Sequence, residues 1–118
     1  MMIKKKKRIN QKKLQKRLQN KRDKEWAIAV KEAYLNKCAI CGKKELINAH
    51  HIIPRENRMF RWEIDNGIAL CPKHHRFSLE LSPHRNSFEF YRWWGQNYMG
   101  KCKKLIELIY EKRNTKTI

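Results

Sequence analysis

The spacing of four side chains constrains this sequence more than anything else in it. Cys38 and Cys41 in "CAICG", with Cys71 and His74 in "CPKHH", make the pattern C-x2-C-x29-C-x2-H. Structural zinc takes four N or S ligands in a tetrahedron, and two close-spaced pairs joined by a connecting segment supply them. Two disulfides among the four cysteines would be the alternative. The ligand spacing favours metal and leaves Cys102 over. A metal staple also meets a physical need. The 118 residues suit one domain, and 29 Lys and Arg against 11 Asp and Glu leave a small core and a net charge of +18.

A compact fold of that charge repels itself unless it meets a polyanion, which makes nucleic acid the leading partner. An acidic membrane is the weaker alternative. No stretch approaches the roughly 18 apolar residues of a spanning helix, and the lysine-rich start lacks the apolar core of an export signal. The chain is therefore expected to be unexported and cytoplasmic, with no membrane partner. Its basic excess is densest in residues 1–24, which hold twelve Lys or Arg and one acid. That segment reads as a flexible basic arm, adding sequence-independent affinity for phosphates by counterion release. "KKKKR" would also fit a nuclear-import patch.

The remainder, 25–118, reads as a single domain. From Asp23 to Leu35 the residues Trp26, Ile28, Ala29, Val30, Ala33 and Tyr34 recur at helical spacing. Gly42 follows the second cysteine, where a tight turn lets backbone amides approach a metal-bound sulfur. "LINAHHII" reads as a strand stopped by Pro54, "RENRMFRWEIDNG" as a basic connection, and "IAL" as a second strand. Pro72 suits the first turn of a helix, so "CPKHHRFSLE" is expected to be helical. Helices are expected over about residues 86–113, started by the capping box of Asn86 and Glu89 and continued by Leu105, Ile106, Leu108 and Ile109. The aromatic cluster Phe88, Phe90, Tyr91, Trp93, Trp94 and Tyr98 has helical spacing and reads as core. The fold class is α+β.

Once the zinc has its four ligands, His50, His51 and His75 remain. His74 shares a helix face with Cys71 at i, i+3, so His75, about 100° further round, must point away from the zinc. If the zinc ties the hairpin to the helix, His75 faces the strand carrying His50 and His51, and a second, open metal site is the economical inference. Successive strand side chains point to opposite faces. One histidine of that pair is then a ligand and the other a proton acceptor. Arg55, Arg58, Arg61 and Arg76 flank the site in sequence as candidate phosphate contacts.

Taken in order, "CAICG", "AHHIIP", "DNGIALC" and "CPKHH" resemble the HNH endonuclease family. The resemblance covers Cys38 to His75, with Arg76 to Ser82 completing the helix, and implies a ββα-metal (His-Me finger) core over about 38–82, flanked by N- and C-terminal helices. It implies His50 and His75 as ligands of a catalytic divalent ion, His51 as general base, and Asn66 as a brace for the loop and the base, with an oxygen of Asn66 orienting His51. Many zinc-containing members carry C-x-x-C-H where this chain has "CPKHH", so His74 stands in for a cysteine. Many relatives have Asp where His50 stands, which leaves Mg²⁺, Mn²⁺ and Ni²⁺ all open as the catalytic ion. His84 is a candidate third ligand if "LSPHRN" folds back.

The resemblance thus implies a metal-dependent endonuclease contacting DNA mainly through its phosphate backbone, in a phage or mobile-element setting. A zinc-stabilised nucleic-acid-binding accessory protein without catalysis, and a nuclease directed to branched DNA or RNA, are the alternatives.

Overall fold

The computed structural model describes the backbone of residues 2–117 and the side chains of residues 10–114. Helix α1 (Met2–Ala33) leads through a turn into the Cys38–Cys41 knuckle. Strands β1 (Asn48–His51) and β2 (Gly67–Leu70) pair antiparallel, with His50 opposite Ile68 and His51 opposite Gly67. A short helical turn, Lys73–Phe77, follows β2; α2 (Ser87–Asn97) and α3 (Met99–Thr117) complete the order. This is the expected α+β hairpin-then-helix arrangement between flanking helices.

The core forms on both sides of β2, all four of whose residues are buried. From α1 come Trp26, Val30 and Tyr34, one helical turn apart on a single face; from α2 Phe90 and Trp94; from α3 Leu105. The indole N–H of Trp94 donates to the Tyr34 hydroxyl at 3.1 Å, tying α2 to α1. Gly67 is required for this packing, because a Cβ there would run into the side chains of Val30 and Trp26. The α1 helix therefore lies directly against the start of β2.

Four expectations need correction. The first helix is longer than the one expected over Asp23 to Leu35: α1 runs unbroken from Met2 to Ala33, consistent with its many Lys, Arg and Gln residues and its lack of Gly and Pro. The helix after Pro72 stops at Phe77 rather than continuing to Ser82, its last amide bond running from Ser78 N–H to Lys73 O at 2.7 Å. Beyond it, the hydroxyls of Ser78 and Ser82 accept from the amides of Leu81 and Arg85, each at 3.1 Å, turning the chain back on itself. Phe88 is 78% exposed, while Phe90 and Trp94 are buried and Tyr91, Trp93 and Tyr98 pack against them. Asn86 caps α2 by accepting from the Glu89 amide at 3.4 Å, but the Glu89 carboxylate turns to Arg92 instead of closing the box.

Among the described residues, no helix is long and apolar enough to cross a membrane.

Candidate functional site

The hairpin and the turn after it divide the two histidine pairs between two clusters. In the first, the donor atoms of Cys38, Cys41, Cys71 and His74 all lie within 4.8 Å of one another. Cys41 Sγ is 3.7 Å from Cys71 Sγ, and His74 Nδ1 is 3.8 Å from Cys38 Sγ and 3.4 Å from Cys71 Sγ. Four ligands at about 2.0–2.3 Å from a tetrahedral zinc stand about 3.4–3.8 Å apart, and these three separations fall in that range, so the quartet could hold such an ion. Sequence folds this site locally. Gly42, at φ +76°, closes the knuckle with its amide on Cys38 O at 2.9 Å. The Ala39 amide bonds Ala69 O at 2.9 Å, and the Tyr98 hydroxyl donates to Ala39 O at 2.7 Å, so the knuckle is held by β2 and by the end of α2. Burial alone would raise the Cys38 thiol, but the amides of Cys41, Cys71 and Ile40 aimed at its sulfur bring it below its ordinary value. That favours the thiolate a metal needs. Cys102 lies outside the cluster.

The second cluster gathers His50 from β1, His75 from the helical turn and His84 from the segment that folds back. His50 Nδ1 and His84 Nε2 each lie 3.1 Å from His75 Nε2. Nitrogens at about 2.0–2.1 Å from a common ion fall at such separations, so these imidazoles fit one divalent cation. Burial, then the neighbouring His75 and His84, pushes His50 down to about 3; burial, then His84, pushes His75 down to about 4. Both rings are thus neutral at ordinary pH, with lone pairs available to a metal. The Tyr91 hydroxyl sits 3.2 Å from His50 Nε2 and occupies the nitrogen that does not face the cluster.

His51 points elsewhere, as strand alternation requires. Its ring lies flat on Trp26, centroids 3.7 Å apart and planes 4° from parallel. Its Nε2–H donates to Arg61 O at 2.8 Å, a tautomer assigned from that bond, which leaves Nδ1 as the lone-pair nitrogen. Burial lowers its proton affinity below the ordinary value. It lines a cavity with His50, His75, His84 and Tyr91, and Arg55 and Arg76 stand at the same cavity.

Asn66 is fully buried and stitches the 52–63 connection: its Oδ1 accepts from Ile53 N–H at 2.6 Å, and its Nδ2 donates to the carbonyls of Ile53 and Phe60 at 3.0 and 3.1 Å. The oxygen on His51 is that of Arg61, so the expected direct bond from Asn66 to the base is corrected to an indirect brace. The arginines separate. Arg55 and Arg76 reach the histidine cavity, Arg58 lines a different one beside α1, and Arg61 forks onto Asp23 at 2.9 and 2.8 Å. Arg61 is thereby engaged within the protein, contrary to its expected place among the phosphate contacts. That ion pair holds the Asp23 carboxyl below its ordinary range.

Sequence reasoning missed Trp26, Tyr91 and the carbonyl of Arg61. Their spacing signals only core or connection, and nothing in the sequence distinguishes a ring packed on a histidine from one packed on a leucine.

A two-stranded hairpin and a helical turn, carrying one cluster of three cysteines and a histidine and another of three histidines, define a ββα-metal module. The family profile described as HNH endonuclease matches residues 38–77, 40 of the chain's 118, so this module carries the profile of that family, which points to a nuclease-type function. No curated protein and no solved structure matches the chain.

Proposed function

We propose that the chain is a metal-dependent endonuclease that hydrolyses phosphodiester bonds of DNA, with His51 as general base and zinc in the Cys38, Cys41, Cys71 and His74 site. The observation carrying this reading is the division of labour between neighbours: His50 joins His75 and His84, while His51, one residue on, keeps a separate partner and a lone pair on Nδ1. A divalent ion held by His50, His75 and His84 would supply Lewis acidity and a template for the phosphate. Imidazole donors suit Mn²⁺ or Ni²⁺ better than Mg²⁺, which prefers oxygen.

The chain's own groups do the rest. His51 Nδ1 accepts the proton of the water that attacks phosphorus, as the bond to the 3′ oxygen breaks. The Arg61 carbonyl and the Trp26 face hold the ring in one tautomer and one plane, so that nitrogen is fixed before substrate arrives. Arg55 and Arg76 at the cavity offer guanidinium forks to phosphate oxygens. Tyr91 fixes the orientation of His50.

The test is incubation of supercoiled plasmid with the protein and Mg²⁺, Mn²⁺ or Ni²⁺. Nicking by the wild type and none by His51→Ala is expected; plasmid bound but uncut with every ion would instead support a non-catalytic binding protein.

A further inference from the structure

The cavity holding the histidines is not the molecule's only concave surface. The first half of α1 extends past the domain, and between it and the 52–63 connection lies a groove of about 600 Å³. Its lining includes Lys12, Lys16 and Arg22 from α1, and Arg58 and Trp62 from the connection, and contains no acid. Among the described residues, the ion pairs engage none of these four cations. The Arg22 guanidinium lies 3.8 Å over the Trp62 ring, so the groove's inner end is held in place rather than left as loose lysine chains. Asp23, the nearest acid on the helix, is turned away into its pair with Arg61. Four cations converging on a concave wall, with the local acid neutralised, suit a polyanion better than any neutral or cationic ligand.

The groove's position ties it to the histidine cavity. Arg55 lines the latter and Arg58 the former, and three residues of backbone span at most about 11 Å. Along α1, Lys12 to Arg22 covers about 15 Å at 1.5 Å per residue. Phosphates on one DNA strand advance about 3.4 Å along the duplex axis, so the helix face spans about four nucleotides. One duplex can touch both places.

We propose that this groove is a second phosphate-binding surface for the nucleic-acid substrate, seating backbone beyond the histidine cavity along the inner face of α1. The inference rests on the reading of DNA as substrate. The α1 helix then has two roles: its inner half holds His51 through Trp26, and its outer half carries duplex.

The experiment measures binding of the full chain to a fluorescein-labelled DNA duplex by anisotropy across a salt series, without added divalent ion so that the duplex stays whole. One variant carries Lys12→Gln, Lys16→Gln and Arg58→Gln; a control carries Arg17→Gln, Lys21→Gln and Lys24→Gln, the same loss of charge on the side of α1 turned away from the groove. Each lost phosphate contact lowers the slope of log K against log salt by about 0.9, so the groove variant is expected to lose about 2–3 in slope and the control less than about 1. Equal losses in both variants, or none in the groove variant, would overturn the proposal. In either case a wild type that still nicks plasmid leaves the nuclease reading standing. A wild type that binds no duplex would remove both.

Discussion

The two ligand clusters take one histidine each from "KHH" yet are built in opposite ways. The Cys3His cluster is built into the core on one side: Cys38 and Cys71 are buried while Cys41 is exposed, amides stabilise the Cys38 sulfur, and β2 and Tyr98 hold the knuckle. The three-histidine cluster opens onto a cavity, contains no thiolate, and draws its third member from a segment that is neither strand nor helix. A sulfur site built into the core contributes folding energy; an open imidazole site keeps room for a substrate. The difference teaches that His74 and His75, though adjacent, belong to separate physical problems, and that the turn starting at Pro72 is the part which divides them.

The contrast is sharpest when one cluster is broken and the other left alone. Cys38→Ser is expected to have the largest effect, because structural zinc in small domains accounts for about 10–16 kcal/mol of apparent folding energy. Bound zinc and the cooperative thermal transition should both disappear, as measured by metal analysis and circular dichroism; a folded, zinc-loaded variant would contradict the assignment. His51→Ala should do the reverse, retaining zinc and fold while plasmid cleavage falls by about 10²–10⁴, the usual contribution of a general base. Unaltered cleavage would remove His51 from the chemistry.

Smaller changes test how the open cluster is supported. Removing the hydroxyl that orients a ligand typically costs about 10–100-fold in metal affinity. Tyr91→Phe should therefore weaken Mn²⁺ or Ni²⁺ binding by that range in calorimetry, with the zinc content unchanged. His84→Ala should weaken it at least as much, and an affinity equal to wild type would exclude His84 as a ligand. Gly67→Ala should affect both clusters alike, since it pushes β2 from α1; overpacking of this kind costs about 1–3 kcal/mol, read from chemical denaturation. A variant as stable as wild type would show that Val30 and Trp26 yield to the methyl group.

Much of the first cluster was legible in the sequence, for a physical reason. Its members come in pairs three residues apart, and such pairs meet through local turn and helix geometry whatever the rest of the chain does. The strands around His50 and Ile68, and the turning of His75 away from His74, follow from the same short-range periodicities. Alternation along β1 likewise separates His50 from His51. Length estimates were poorer: the helix after Pro72 ends early because serine hydroxyls compete for its amides, and α1 is longer because propensity outweighs low hydrophobicity.

By itself the sequence determined the α+β order, the Cys3His quartet that could hold a metal, and the presence of surplus imidazoles on a hairpin and a turn. Tertiary structure alone decided that His84 returns to His75, that Tyr91 reaches His50 from 41 residues away, that Arg61 gives its carbonyl to His51 and its guanidinium to Asp23, and that Trp26 lies beneath His51. Those contacts depend on how separate elements pack, and packing selects among aromatic and charged side chains by position in space, for which neither spacing nor composition carries a signal.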